Sequence, residues 1–206
     1  MKKRVLIASI FSGNTMNSTI VKLSPTHVIL IVEKNLDKLK GDDAKTKRDA
    51  IKNLQEIFNE SVNISFLEVN SIYDIYEIAK KTIKKIDELE NSEIILNISE
   101  GRKPISYGMS FAAYLRKEKV SAMYYLIKET DKLLRMPFLT FSINGVQKEI
   151  LKSLTQKNQD TISLRKKINK SKSVFYKYLK NLINNGYVVE EDDELKLTDL
   201  GRIIIL

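Results

Sequence analysis

Three stretches of this chain hold residues whose types and spacing could do chemistry. The first is Ser9-Ile10-Phe11-Ser12-Gly13-Asn14-Thr15, and the second is Asn97-Ile98-Ser99-Glu100-Gly101-Arg102-Lys103-Pro104. Each combines hydroxyls and a carboxamide, which hydrogen-bond sugar and phosphate oxygens, with a glycine that lets a ligand approach the backbone. The second adds two cations, Arg102 and Lys103, directly before a proline suited to the first turn of a helix. Cations beside a helix N-terminus favour phosphate. Neither stretch is a G-x-G-x-x-G or a P-loop, so no mononucleotide or dinucleotide cofactor is indicated. On residue types alone, ligand-binding loops and ordinary strand-to-helix turns stand level.

The third stretch, 161–189, contains Arg165, Lys166, Lys167, Lys170, Lys172, Lys177 and Lys180 and no Asp or Glu. Unopposed positive charge of this kind suits a phosphate backbone. Ser171 and Ser173 could donate to phosphates, and Tyr176 and Lys177 would face the major groove if this segment is a recognition helix. The alternatives are a merely solvated lysine face or a protein-binding module. Five consecutive acids follow, Glu190-Glu191-Asp192-Asp193-Glu194. They would repel DNA, so contacts are expected from the helix and not from the acidic turn.

Composition bounds what these stretches can be. The chain has 206 residues and a formal charge of +9, enough length for one large domain or two small ones and a balance that favours an anionic partner. A lysine-rich genome would give the same total. No apolar run approaches the roughly 20 residues of a membrane span. The opening Met1-Lys2-Lys3-Arg4-Val5-Leu6-Ile7-Ala8-Ser9-Ile10 mimics a signal peptide, but its apolar run soon meets Ser12, Gly13 and Asn14. It reads as a strand, and a cytoplasmic location is expected. With no cysteine, disulfides, thiol catalysis and Cys-ligated zinc are excluded. The single histidine, His27, has no acidic cluster at ligand spacing, so no metal site is expected. Nothing near it supports Ser-His-Asp chemistry.

Hydrophobic periodicity supplies the elements that must position the loops. Segments 4–11, 26–32, 62–69, 93–98 and 121–128 read as strands. Segments 43–60, 72–89 and 104–117 have helical spacing, with Ala50, Ile51, Leu54, Ile57 and Phe58 in one stripe and Ile75, Ile78, Ala79, Thr82, Ile83 and Ile86 in another. This alternation predicts a mostly parallel sheet with helices on both faces, and right-handed crossovers make it Rossmann-like. Ligands bind such sheets outside the carboxyl ends of the strands, where both loops lie. The pattern ends near Lys132, and 133–143, with Pro137, reads as an extended connector or edge strand. Further on, Val146, Ile150, Leu151 and Leu154 mark a helix. Segment 161–168 marks a second, capped by Asp160 or Thr161, and 173–184 a third with Phe175, Leu179 and Leu182 inward. Asn185-Gly186 is a helix stop, and 187–189 and 195–197 read as two strands. The expected domains are therefore 1–132 for ligand sensing, 133–143 as connector and 144–206 for DNA binding.

Three helices followed by a hairpin is the winged helix-turn-helix order, and the chain resembles that superfamily in detail. Ser171-Lys172-Ser173-Val174-Phe175-Tyr176-Lys177-Tyr178-Leu179 is similar to a recognition-helix start. Leu182-Ile183-Asn184-Asn185-Gly186-Tyr187-Val188 is similar to the exit into the wing, and Leu197-Thr198-x-x-Gly201-Arg202 to the "LTxxGR" element after it. The resemblance implies double-stranded DNA as partner, with Lys166, Lys170, Ser171, Lys172, Ser173, Tyr176, Lys177 and Lys180 at the contact. Asn97-Ile98-Ser99-Glu100-Gly101-Arg102-Lys103 resembles the second conserved loop of CARF domains, the CRISPR-associated Rossmann-like sensors, whose usual form is near "N-[LI]-[ST]-G-G-T-K". The 9–15 loop sits where the first CARF loop falls. Essentially the whole chain resembles the CRISPR-associated CARF–winged helix transcriptional regulators. Two departures are Glu100 where glycine is common and Arg102 where threonine is common. An acid in a phosphate loop is unfavourable unless paired, and Arg102 is the candidate partner.

The resemblance implies an α/β Rossmann-like domain followed by an α+β winged helix. It also implies a homodimer and a cyclic oligoadenylate, commonly cyclic tetra-adenylate, bound across the two-fold axis as effector and not as cofactor. Carried over by position, the ligand-binding residues are Ser9, Phe11, Ser12, Gly13, Asn14, Asn97, Ser99, Gly101, Arg102 and Lys103. The leading expectation is a ligand-responsive regulator of CRISPR-Cas genes in antiviral defence. A second is metal-independent cleavage of the ring. In that reaction a ribose 2′-oxygen attacks the adjacent phosphate, Lys103 stabilises developing charge and Ser9 or Ser12 orients the ribose. The sequence offers no evident general base for it. A third is a dimeric adaptor with empty loops.

Overall fold

The computed structural model describes residues 3–139, 141 and 143–206. The chain divides into two compact units, Met1–Leu139 and Thr140–Leu206. Met1 and Lys2, at the start of the signal-like segment, and Thr140 and Ser142, in the expected connector, lie outside the described residues.

The first unit is a six-stranded sheet in the order β3-β2-β1-β4-β5-β6. Its strands are β1 (Lys3–Ser9), β2 (His27–Glu33), β3 (Asn63–Val69), β4 (Ser92–Asn97), β5 (Val120–Ile127) and β6 (Lys132–Arg135). The pairs among the first five are parallel, and β6 runs antiparallel to β5 at the edge. The inner strands are buried on both faces, which is why they read as near-continuous Val/Ile/Leu runs. Four helices complete the crossovers: α1 (Asn14–Leu23), α2 (Asp42–Phe58), α3 (Ile75–Glu88) and α4 (Lys103–Leu115). Leu6, Ala8, Ile10, Val28, Leu30 and Val32 pack with Met16, Ile20, Leu23, Ile51 and Leu54 of α1 and α2 in one core cluster. The alternate strand residues, among them Val5, Ile7, Ile94 and Leu96, are buried on the other face, as a period of two requires. Gly108 lets α4 approach α3 closely, because a Cβ there would overlap the side chain of Ile78.

The order 3-2-1-4-5 reverses direction between β1 and β4. The crevice outside their carboxyl ends is where open α/β sheets bind ligands. In the parallel register Ala8 pairs with Asn97, so the loops after β1 and β4 leave the sheet side by side. Two features differ from the periodicity. β1 stops at Ser9, which leaves Ile10 and Phe11 to the loop. A helix, α1, fills the segment after it, which the periodicity left without a helix. Its buried stripe is Thr15, Met16, Thr19, Ile20 and Leu23, and the two threonines disguise the apolar spacing.

The second unit consists of α5 (Gly145–Gln156), α6 (Thr161–Lys167), α7 (Lys172–Asn184), the hairpin β7 (Val188–Glu191) and β8 (Glu194–Leu197), and α8 (Asp199–Ile203). Its core gathers Ile150, Leu151, Leu154, Leu164, Ile168, Phe175, Leu179, Leu182, Val188 and Leu195. An Asn144/Gln147 capping box starts α5, and Asp160 caps α6 by accepting from Ser163 N. The acidic segment is shorter as a turn than the sequence suggested. Glu190 and Glu191 pair in β7, Glu194 lies in β8, and only Asp192 and Asp193 turn, both left-handed, at φ 52° and 60°. Two left-handed residues suit a two-residue hairpin whose twist matches its strands.

Candidate ligand loops and candidate DNA-binding face

The two loops of the first unit are joined by one side chain. The Glu100 carboxylate reaches back into the β1–α1 loop. It accepts from Phe11 N (2.8 Å) and Gly13 N (2.9 Å) on Oε2, and from Thr15 N (2.8 Å) and Thr15 Oγ1 (2.7 Å) on Oε1. These amides belong to the entry and first turn of α1, whose N-cap, Gly13, is left-handed and offers no side chain of its own. An anion is favoured there by the unpaired N–H groups and the helix dipole. The expected pairing of Glu100 with Arg102 does not occur. Arg102 binds Asp43 at the start of α2 and lies with its guanidinium 5.8 Å from the centre of the Phe11 ring. The hydrogen bond to Asp43, then its charge and that of Tyr73, push the Arg102 pKa up.

Of the residues placed at the ligand by sequence, Ser9 and Asn97 are fully buried. Ser9 Oγ donates to the Glu100 carbonyl. Asn97 donates from Nδ2 to Thr19 Oγ1 (3.0 Å) and accepts from Ser99 N (2.9 Å). Both position the loops and present no polar atom to the crevice. Gly13 is also buried, with the position of a Cβ only 3.2 Å from Ala50 Cβ on α2. Gly101 has φ +85°, and its Cβ position lies 3.0 Å from Ser9 Cβ, so a glycine is needed both for the conformation and for the close approach. Ser99 Oγ accepts from Leu126 N at 2.6 Å. Phe11, Ser99 and Gly101 are half-buried, and Ser12, Asn14, Arg102 and Lys103 are exposed. Lys103 opens α4 and has no ion pair among the described residues. Of the three residues tied to ring cleavage, then, Ser9 is engaged within the chain, while Ser12 and Lys103 face solvent. Sequence reasoning did not place Thr15 or Asp43 at the site. Thr15 stood in the loop, but its partner is 85 residues away.

On the second unit, Lys166, Lys170, Ser171, Lys172, Ser173, Tyr176, Lys177 and Lys180 are all exposed. Ser173, Tyr176, Lys177 and Lys180 fall at i, i+3, i+4 and i+7 of α7, on the face opposite Phe175, Leu179 and Leu182. The N-cap residue Ser171 makes no capping hydrogen bond with its side chain, and no acid lies in the first turn. No ion pair among the described residues neutralises a lysine of this face. Behind it Gln147 Nε2 donates to Asn181 Oδ1 at 2.6 Å and ties α7 to α5.

The model of the Csa3 CRISPR-associated Rossmann-like domain matches residues 6–137. The chain belongs to this family. A winged helix-turn-helix model matches residues 145–205, so a CARF domain is followed by a winged helix. Comparison with curated protein sequences gives no match. Solved structures of similar fold include Can2 from Sulfobacillus thermosulfidooxidans in complex with cyclic tetra-adenylate, with 10% identity, TM-score 0.51, and coverage of 98% of this chain and 63% of that one. Protein VC1899 from Vibrio cholerae aligns with 12% identity and TM-score 0.52 over 97% of this chain and 63% of its own. Enterococcus italicus Csm6, bound to cyclic hexa-2'-fluoro-hexa-dAMP, aligns with 14% identity and TM-score 0.52 over 90% of this chain and 55% of its own. This chain thus spans under two thirds of the length of each, and the likeness is one of fold.

In the CARF domain the two loops flank the β1/β4 crevice. In the winged domain α7 stands at the recognition-helix position, β7–β8 is the wing, and Thr198 and Gly201 explain the element that follows it. Thr198 Oγ1 donates to Gly186 O (2.6 Å) and accepts from Gly201 N (3.1 Å), closing the wing base. A Cβ on Gly201 would overlap the Tyr187 carbonyl. In the wing, Lys196 lies 3.4 Å from Glu191 and 3.9 Å from Asp192, so the positive charge there is paired within the hairpin. Among the described residues no helix is long and apolar enough to cross a membrane.

Proposed function

We propose that this protein is a homodimeric DNA-binding regulator of CRISPR-Cas genes whose CARF domain binds a cyclic oligoadenylate, with cyclic tetra-adenylate the first ring to test. The observation that carries the reading is the recognition helix. Its exposed stripe holds Ser173, Tyr176, Lys177 and Lys180 and its N-terminus is uncapped by any side chain, in a stretch of seven cations and no acid. That is the equipment of a helix held against phosphates in a major groove. The effector half rests on Lys103 at the first turn of α4, beside the crevice between β1 and β4. Fold neighbours bound to cyclic tetra-adenylate and to a cyclic hexanucleotide analogue add to it. A symmetric ring suits a two-fold interface, because each protomer offers the same loops to half of it. Ring binding would shift the relative placement of two recognition helices, and half-site spacing makes DNA affinity sensitive to that shift.

The test is a thermal-shift titration with cyclic tetra-adenylate and cyclic hexa-adenylate, on the native chain and on Lys103→Ala. It is followed by promoter binding with and without the ring. A saturable shift that the variant loses is expected, worth about 2.7 kcal/mol at a hundredfold excess over Kd. If neither ring shifts the melting temperature, the second-messenger half falls and a DNA-binding protein with another signal remains.

A further inference from the structure

We propose that Glu100 is a specificity-determining residue. Its carboxylate fills the amide nest of the first loop from within the chain, and it confines the phosphates of an effector to the second-loop side of the crevice. The inference rests on the effector reading above and changes what each loop does in it. By position alone, the first loop and the α1 N-terminus would be offered to a phosphate. In this chain the nest is already complete. A carboxylate has about four acceptor positions. Phe11 N, Gly13 N, Thr15 N and Thr15 Oγ1 supply four donors at 2.7–2.9 Å. The residue is only 8% exposed, so a ligand anion has almost no path to those amides.

The carboxylate is also hard to expel. It is tethered to the second loop, whose backbone is fixed from below by the Ser9 hydroxyl on the Glu100 carbonyl and by the close packing of Gly101 over Ser9. A phosphate that pushed it aside would have to break that support and then share the crevice with a negative charge, and at low dielectric such repulsion is strong. The exposed groups of the two loops beside the crevice are therefore of two kinds. The first loop shows the neutral side chains of Ser12 and Asn14, suited to ribose hydroxyls and base edges. The second loop shows Lys103, while Arg102 is engaged with Asp43. Phosphate belongs with Lys103 and the start of α4.

The test uses the full-length protein labelled with nitrogen-15 and follows the amide signals of Phe11, Gly13 and Thr15. Inorganic phosphate is titrated first, then cyclic tetra-adenylate. In the native chain phosphate should leave the three amides unmoved. In Glu100→Ala it should give them a saturable shift, together with a phosphate-dependent rise in melting temperature. Native amides that titrate with phosphate, or a folded Glu100→Ala that ignores it, would overturn the proposal. Should the alanine variant not fold, the native chain decides alone. With the ring bound, the three amides must keep their protection from hydrogen exchange, and loss of protection would mean that the ring displaces Glu100. If the ring does not bind at all, the effector reading fails, and the phosphate arm still settles whether the nest is closed.

Discussion

Two helices of this chain begin beside loops built to attract anions, and their N-termini are treated in opposite ways. The first turn of α1 is closed by the buried Glu100 carboxylate, brought from a loop more than 80 residues away. The first turn of α7 has no side-chain cap and no acid, and Lys170 and Lys172 flank its start. One site is satisfied from within the chain. The other is left without an internal acid or side-chain cap. Under the proposed function the difference would divide two tasks: the loops around the closed site would read a small molecule, and the open cationic surface would hold a polyanion.

Removing the internal anion should have the largest effect. Glu100→Ala leaves the buried amides of Gly13 and Thr15, the part-buried amide of Phe11 and the Thr15 hydroxyl without partners, and each such buried group costs about 1–3 kcal/mol when desolvated. Destabilisation of about 3 kcal/mol or more is expected in denaturant unfolding of the first unit, with the winged unit unchanged. A loss below about 1 kcal/mol would mean that water takes over the nest at little cost, and the contrast between the two helices would shrink to one of degree.

The open site should respond through binding, with stability little altered. In Lys172→Ala/Lys177→Ala, duplex affinity near 0.1 M salt should fall about tenfold per lysine, and the slope of log K against log salt should lessen by about 1 for each. Melting of the second unit should barely change, because both side chains are exposed and free of ion pairs among the described residues. An unaltered slope would remove these lysines from the DNA contact. Ser173→Glu sharpens the comparison, since it gives α7 the acid that α1 already has. The helix should become slightly more stable through its dipole while DNA binding is lost.

These contrasts were unequally legible in the sequence. The parallel sheet was legible because strands buried on both faces leave unbroken apolar runs. The exposed stripe of α7 was legible because a helical period sorts Phe175, Leu179 and Leu182 from Ser173, Tyr176, Lys177 and Lys180. α1 was not, because Thr15 and Thr19 occupy buried positions and meet their needs internally, Thr19 by donating to Thr15 O and accepting from Asn97. The loops were located correctly at the strand ends, but their side chains follow no period. Whether Ser9 faces a ribose or lies under Gly101, and whether Arg102 meets Glu100 or Asp43, depends on pairings 59–91 residues apart. The glycine of the LTxxGR element stood out as a motif, yet its reason, the Tyr187 carbonyl against it, exists only in the fold.

A smaller effect is expected at the rim of the closed site. Arg102 is solvent-exposed, so Asp43→Ala should leave the melting temperature nearly unchanged. It should nevertheless free Arg102 for the crevice. If the proposed ring binds, its affinity should rise modestly in Asp43→Ala at low salt and return to the native value at high salt. A gain that persists at high salt would point to rearrangement of the α2 start instead of released charge.

The smallest effect concerns a place where the fold supplies no anion to a group that could become a cation. His27 opens β2 with Nε2 2.7 Å from Ser65 Oγ, while its buried Nδ1 has no hydrogen-bond partner among the described residues. Burial, then the charges of Lys3 and Lys85, hold its pKa below the ordinary value. A depressed histidine binds protons more weakly folded than unfolded. Its contribution to stability is therefore complete above a pH of about 6.5, the unfolded value, and is lost as pH falls through the folded value. Between pH 7.5 and 5.5 the native chain should lose slightly more melting temperature than His27→Gln, which cannot titrate. Equal losses would place the acid sensitivity entirely on paired carboxylates such as Asp87, held low by its hydrogen bond from Arg116.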